Sequence, residues 1–526
     1  STGNESGDGP NTEAMYHWLK QRTNLPVMAE QAQLRPHTDI YAQMYASLPL
    51  MESFVELGSD RPMILCEYEH AMGNSLGNLG EYWDLIRKHD ALQGGFIWDW
   101  VDQTISTTNK DGVKFEGYGG DFEPEGVYHD GNFSANGLVQ SDRQLHPHAF
   151  EVKKVYQDVE IRSLDPQNGK ITLFNRRYFT NLSDRSLTWL LLEDGKPVQQ
   201  GQALPLAIEA QSEQSITLPV DYTFLADKRY HLTVQIKAAQ ASLGIKVGDT
   251  VASEQFSLPL VFSNARKPTV TKSAFQIGQE MVKVSAKDNL YTFDKTSGWL
   301  SQIYVKGKPS LAQPMVPWFW RAPTDNDFGE GFPEKAKVWQ QIYQQAELVS
   351  LDVQESEGMT ELITEHFLQP VQSRYQTRYK IYVDGSIQVS VAFLAAPNHF
   401  YPALPRLGYR LVLKDQYDTT NWFGRGPHES YWDRKRSADF GLYSSTIEAL
   451  SHDYVRPQEN GHRTDVYKVA FSGQTAPSFE FVGEPLIGFN AEYHNLLDYD
   501  QFVKKGLHPH DIPETESLYV YIDYKQ

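Results

Sequence analysis

The spacing of hydrophobic and polar positions changes near residue 156. Before it, short apolar runs alternate with stretches whose apolar residues recur every three to four positions, the pattern of strand–helix units. NTEAMYHWLKQR (11–22) predicts a helix, LPVMAEQ (25–31) a strand, DIYAQMY (39–45) a strand, LPLMESFVEL (48–57) a short helix and RPMILCEYEH (61–70) a buried strand. NLGEYWDLIRKHD (78–90) puts Leu79, Trp83 and Ile86 on one helical face, and LQGGFIWDWVDQ (92–103) predicts strand again. This run suits the C-terminal portion of a (β/α)8 TIM barrel over residues 1–156, but it supplies only about five strands, too few to close one. Beyond it the period is two. GKITLFN (169–175), SLTWLLLEDGKPV (186–198) and RYHLTVQIKA (229–238) predict strands, with EDGK as a hairpin turn, and residues 157–265 have the size of an immunoglobulin-like β-sandwich. NARKPTV (264–270) predicts a linker. Residues 266–526 stay all-β, as in RYKIYVDGSIQVSVAF (378–393) around Asp384 and Gly385, and predict one large β-sandwich. The fold class is multidomain α/β plus all-β.

Composition narrows the function. Over 526 residues the formal charge is -19, which disfavours nucleic acid, because a phosphate backbone is neutralised by clustered Lys and Arg. The 13% aromatic content, with 11 Trp and 29 Tyr, supplies faces on which sugars stack. One cysteine, Cys66, excludes an intrachain disulfide and fits a reducing compartment, with cytoplasm as the default. No apolar run approaches the ~20 residues of a membrane helix. The chain opens on STGNESGDG, with no initiator Met or leader, and reads as cut at that end.

Two carboxylates stand where barrel strands should end, Glu5 in GNESG and Glu67 in ILCEYEH. Enzymes of this fold keep their catalysts on such loops. Glu67 follows a run of apolar residues and Cys66, so its burial would be costly without a partner or a task. Facing one pocket about 5 to 5.5 Å apart, two carboxyls suit retaining glycoside hydrolysis, one attacking the anomeric carbon and the other protonating the leaving oxygen. The carboxyl in the less polar setting should keep its proton and act as the acid. Tyr45, Trp98 and Trp100 offer aromatic faces nearby, Tyr45 is able to donate to the nucleophile, and Trp98 and Trp100 should share a face. HPHAF (146–150) and HPHD (508–511) are weak metal candidates, because His-Pro-His lacks the usual ligand spacing. Cys66 alternates away from Glu67 and is most simply a packed strand residue.

Seven strings in order carry a resemblance: GNESG (3–7), ILCEYEHAMGNS (64–75), LQGGFIWDWVDQ (92–103), YGGDF (118–122), NGLV (136–139), RAPTDND (321–327) and WFGRGPHESYWDR (422–434). Together the chain resembles the large multidomain β-galactosidases of glycoside hydrolase family 2. That resemblance implies a TIM barrel, an immunoglobulin-like domain and a terminal β-supersandwich, acting by double displacement on terminal β-D-galactose. Carried over by residue, it implies Glu5 as acid/base and Glu67 as nucleophile. Asn4 would contact the 2-hydroxyl, Tyr45 would lie beside the nucleophile, and Met44 would line the pocket wall. His70 would bind galactose, with Trp98 as the platform under the sugar. Glu5 would help bind Mg²⁺, while the Phe133 backbone carbonyl and Asn136 would hold Na⁺, Asn136 also lying by the 6-hydroxyl. The remaining metal ligands and sugar contacts would precede residue 1, and a Trp-bearing loop would follow residue 526, so the isolated chain is expected to be inactive or nearly so. A homotetramer is implied by resemblance alone. Glu69 and His129 depart from the pattern; Glu69 is expected to pair with a base behind the pocket. RGPHESYWDR reads as a structural loop that approaches the site. The alternatives are a non-catalytic galactoside-binding module, or a β-glucuronidase or β-mannosidase relative; a glucuronidase would want cationic groups for its substrate's carboxylate.

Overall fold

The computed structural model describes residues 1–259, 274–356, 358–397, 400–414, 417–500 and 507–525. The predicted linker at 264–270 lies outside the described residues. In the first part, α1 (Pro10–Lys20), β1 (Tyr41–Met44), α2 (Leu48–Leu57), β2 (Met63–Tyr68), α3 (Leu79–Lys88) and β3 (Leu92–Ile97) follow in order, and β1, β2 and β3 form a parallel sheet. The ends of α2 show why it forms where it does. The Ser47 hydroxyl accepts the Leu50 N–H at 3.4 Å, and Gly58 closes the helix with a left-handed φ of 66°. Helix α3 buries Leu79 and Ile86 with Trp83 packed beside them, against a core that includes Leu65, Tyr68 and Leu92. Full burial of a side chain such as Leu79 contributes about 2 kcal/mol.

Three parallel strands pair here, not about five. LPVMAEQ is not a strand, because its backbone groups find other partners. Val27 N–H goes to the Asp39 carboxylate at 2.7 Å and Ala29 N–H to the Thr38 hydroxyl at 3.1 Å, while Met28 C=O accepts Thr2 N–H at 3.0 Å. The strand predicted over 92–103 stops at Ile97. Beyond it the chain turns to the 136–139 segment, with Asp99 N–H on Asn136 C=O at 2.7 Å and Val139 N–H on Trp100 C=O at 3.2 Å.

The middle part pairs Val159–Asp165, Lys170–Asn175 and Glu213–Thr217 in one antiparallel sheet. Arg185–Glu193, Lys196–Pro205, Tyr230–Ala238 and Thr250–Ser257 form another. Both sheets share a core around Leu173, Trp189, Leu232 and Ile236. In the last part, among the described residues, a twelve-stranded antiparallel sheet runs from the edge strand Ala274–Ile277 to the edge strand Asp439–Thr446, with Leu518–Lys525 in its interior, beside a four-stranded sheet over residues 346–394. Their common core contains Phe293 and Tyr379, whose rings meet edge to face at 5.0 Å, with Trp318, Trp320 and Trp339.

The last part grips the loop after β2. Asn74 N–H donates to Gln458 Oε1 at 3.0 Å, Asn78 N–H to Asp433 C=O at 2.8 Å, and Arg434 to Ser75 C=O at 2.8 Å. Gly73 has φ +60°, and a Cβ there would stand 2.3 Å from Gln458 Nε2 and 2.6 Å from Asp325 Oδ2, so the packing demands glycine. RGPHESYWDR therefore buttresses the loop leading away from Glu67. Its Glu429 and Arg434 are a buried pair, joined at 2.5 Å.

Candidate active site

The candidate residues cluster where β1, β2 and β3 end. Met44 lies opposite Glu67 in the β1–β2 register, across a bulge that shifts the pairing after Gln43. The next residue, Tyr45, takes a φ of 52° and aims its hydroxyl at Glu67, donating to Oε2 at 3.2 Å. Glu5 also has positive φ, 47°, in the turn before α1. Left-handed backbone is unfavourable for a side chain with a Cβ and is retained where the surroundings impose it. The rings of Tyr45 and His70 meet edge to face at 6.0 Å, and His70 lies 5.6 Å from the Phe133 ring.

The electrostatics join Glu5 to Glu67. Burial raises the Glu67 carboxyl above the ordinary range, the Tyr45 hydrogen bond opposes that, and the negative charge of Glu5 adds to it. Burial, followed by the Glu67 charge, holds the Tyr45 phenol well above its usual value, so it remains a donor. In this structure the less polar setting belongs to Glu67, not to the exposed Glu5. The rule that the more enclosed carboxyl keeps the proton therefore points opposite to the resemblance, and Tyr45 is what favours the ionised Glu67.

Glu30, which the sequence reading passed over, is a third carboxylate here. Burial raises its pKa, the Glu5 charge raises it further and the Glu5 backbone N–H opposes, while one oxygen, Oε2, is buried without a hydrogen-bond partner. The signal was present: Glu30 follows the apolar run PVMA much as Glu67 follows MILC. Cys66 is half-buried, and burial with the charges of Glu30 and Glu67 pushes its thiol up to about 11.

Other expected residues are less engaged. Asn4 is exposed; its carbonyl accepts the Ser6 hydroxyl at 3.2 Å. Trp98 is 37% and Trp100 66% exposed, beyond the end of β3. Asn136 Nδ2 donates to Phe133 C=O at 2.7 Å, and Asn136 Oδ1 is buried with no hydrogen-bond partner. An orphaned amide oxygen beside a main-chain carbonyl is a fitting donor pair for a hard cation such as Na⁺. For Mg²⁺ this chain offers Glu5, with Glu30 beside it, and among the described residues no three His, Cys, Asp or Glu converge as a metal set. The first histidines of the two His-Pro-His motifs meet single carboxylates and, at His146, a further histidine. His146 is buried between Asp102, at 2.6 Å, and His452, at 2.9 Å, while His508 pairs with Asp121 at 3.0 Å. Among the described residues Glu69 does not find the expected base. Burial pushes its carboxyl up to about 8, and the charges that act on it are Asp433 and Glu81, both acidic. His129 Nδ1 accepts Gly131 N–H at 3.2 Å within its loop.

A wall of the site comes from the last part of the chain. Helix α4 (His148–Val155) closes the first part, and α5 (Asp325–Gly329), which starts within RAPTDND, lies against the β2 loop. Asn326 Oδ1 is 3.0 Å from His70 Nδ1, and its Nδ2 donates to His70 C=O at 3.3 Å. The sequence marks this helix by its capping box, Thr324 with Asp327 three residues on.

Residues 1–161 match the family model described as glycosyl hydrolases family 2, TIM barrel domain; residues 171–259 match β-galactosidase, domain 4; and residues 285–526 match β-galactosidase small chain. The chain belongs to glycosyl hydrolase family 2. Relatives named β-galactosidase align along it: one from Priestia megaterium is 32% identical over all of this chain and 51% of its own length. One from Vibrio cholerae is 35% identical over 88% of this chain and 47% of its own, and one from Alteromonas mediterranea 30% identical over 100% and 53%. The chain thus spans about half the length of the curated relatives it matches. No helix among its described residues is long and apolar enough to cross a membrane.

Proposed function

We propose that these residues serve a retaining β-galactosidase acting on terminal β-D-galactosides such as lactose. The observation that carries the proposal is the Tyr45 O–H donated to Glu67 at 3.2 Å while the Glu5 charge acts on the same carboxyl. The names of the family 2 relatives support galactose as the sugar. In this reading Glu67 attacks C1 as the bond from C1 to the aglycone oxygen breaks, and Glu5 gives its proton to that oxygen. Water then attacks C1, its proton passes to Glu5, and the C1–Glu67 bond breaks. Tyr45 supports the carboxylate before attack and as it leaves. Asn4, Met44, His70, Trp98 and Asn136 line the sugar site. Asn136 Oδ1 and the Phe133 carbonyl would hold Na⁺, which supplies positive charge beside a sugar hydroxyl; Mg²⁺ would need donors besides Glu5.

The immunoglobulin-like description of the middle part, the supersandwich description of the last, the cytoplasmic location and the homotetramer belong to the same proposal. The first two are supported by sheets sharing one core, the third by the single cysteine and the last by the resemblance alone. Since the chain spans about half of its relatives, and three parallel strands leave sheet edges unpaired, the isolated chain should turn over little substrate. Glu67→Gln in the complete polypeptide tests the function: kcat should fall by orders of magnitude while galactoside affinity stays. Unchanged kcat, or lost affinity with kcat retained, would refute the role.

A further inference from the structure

We propose that Asn326 is a positioning residue that locks His70 as its Nδ1–H tautomer, leaving Nε2 as a hydrogen-bond acceptor for a substrate hydroxyl. Resting on the reading of His70 as a sugar contact, the inference adds how that contact is oriented and which polarity of hydroxyl contact it makes. Asn326 makes two hydrogen bonds to one residue, and together they fix the proton. The amide atom 3.3 Å from the His70 carbonyl oxygen must be the NH₂ group, because an oxygen there would set two acceptors against each other. The amide oxygen is therefore the atom 3.0 Å from His70 Nδ1. An amide oxygen only accepts, so Nδ1 carries the hydrogen, and in the neutral ring Nε2 carries the lone pair.

Asn326 is itself held on both sides. Asp325 accepts from Gln458 Nε2 at 2.7 Å and Asn132 Nδ2 at 2.9 Å, with the Arg456 guanidinium at 3.2 Å. Asp327 accepts Thr324 N–H at 2.8 Å and Arg321 Nη2 at 3.0 Å. The His70 ring is further confined by Tyr45 and Phe133. An amide suits this position better than a carboxylate, since Asp at 326 would favour the imidazolium, in which both nitrogens donate and the acceptor is lost.

The test is ¹⁵N NMR of histidine-labelled polypeptide, with the His70 resonances identified by their loss in His70→Gln. The wild type should show a protonated Nδ1 and an unprotonated Nε2. Asn326→Asp, which preserves shape, should show both nitrogens protonated, and Asn326→Ala should move population to the Nε2–H form. A wild-type Nε2–H tautomer, or an Nδ1–H form unmoved in both variants, would overturn the proposal. A kinetic arm separates it from the reading beneath it. Asn326→Asp should raise KM for a β-galactoside roughly tenfold, as expected for one lost hydrogen bond, with a much smaller effect on an analogue lacking the contacted hydroxyl. The expected tautomers with equal KM effects on every deoxy analogue would uphold the lock and overturn the acceptor role at the sugar.

Discussion

The contact that holds the β2 loop against the last part of the chain offers the sharpest stability test. In Arg434→Met the guanidinium is removed from Glu429, with which it pairs at 2.5 Å, both side chains at most 3% exposed. Glu429 keeps the Tyr454 hydroxyl at 2.5 Å and the Gly461 N–H at 2.7 Å but loses its only cationic partner at bonding distance among the described residues. The Ser75 carbonyl loses its donor at 2.8 Å. Breaking a buried pair by removing one member costs about 3 to 5 kcal/mol. At roughly 2 to 4 °C per kcal/mol for a unit of this size, unfolding of the last part should move down by about 6 to 20 °C. The dependence on pH has a definite sign. Burial raises the Glu429 carboxyl, but Arg434 and the other partners prevail and hold it below its ordinary value. The wild-type pair therefore contributes stability above the unfolded carboxylate pKa, lost as pH falls through the lower folded value. Without Arg434 the main cation opposing burial is gone, the carboxyl moves up, and folding favours its protonated form. The gap between variant and wild type should thus narrow as pH falls from 7 toward 5. Thermal unfolding over that range reads both effects. Glu429→Leu in the Arg434→Met background should recover part of the loss. A single-variant loss below about 1 kcal/mol, or a double variant no better than the single, would refute the reasoning.

Two further outcomes follow from the site. Tyr45→Phe removes a hydrogen bond to a carboxylate; at 3.2 Å and with Tyr45 nearly half exposed the lower end of the range applies, about 1.5 kcal/mol, so kcat/KM should fall roughly tenfold. The Glu67 carboxyl should rise further, moving the acid limb of the pH profile to higher pH, and an unmoved limb would remove Tyr45 from the account. Cys66, half-buried with its thiol pushed up to about 11, should react with a thiol reagent at pH 8 far more slowly than free cysteine, whereas labelling at the free rate would contradict the packing.

Part of the first region was legible in the chain because α2 carries its own boundaries in Ser47 and Gly58 and α3 its apolar face in Leu79, Trp83 and Ile86. LPVMAEQ misled because its apolar pattern is genuine, yet Thr38 and Asp39 take the bonds a strand would have offered a neighbour. That competition between side chains and ladder is invisible until the fold brings 38 and 39 beside 27 and 29. Glu5 and Glu67 stood out as carboxylates at strand ends and again within the motif strings, and the Tyr45 donation to Glu67 was legible from its place at the end of the neighbouring strand. Glu30 and Asn326 were not. Glu30 carries the same local cue as Glu67, an apolar run before it, but stands in none of the motif strings, and Asn326 lies 256 positions from the histidine it touches, a separation no local pattern spans. Glu69 shows the opposite failure: a carboxyl on an apolar strand reasonably suggests a cation, and the charges that act on it are those of Asp433 and Glu81.

The central claim, that Glu67 attacks the anomeric carbon with Glu5 as its acid and base, is tested most directly by trapping the covalent sugar. The complete polypeptide is treated with a 2-deoxy-2-fluoro-β-galactoside bearing a good leaving group, then digested and mapped by mass spectrometry. The account predicts one added sugar per chain, on the peptide containing Glu67. A label on Glu5, Glu30 or any other residue, or turnover of the parent galactoside with no trapped ester, would contradict it.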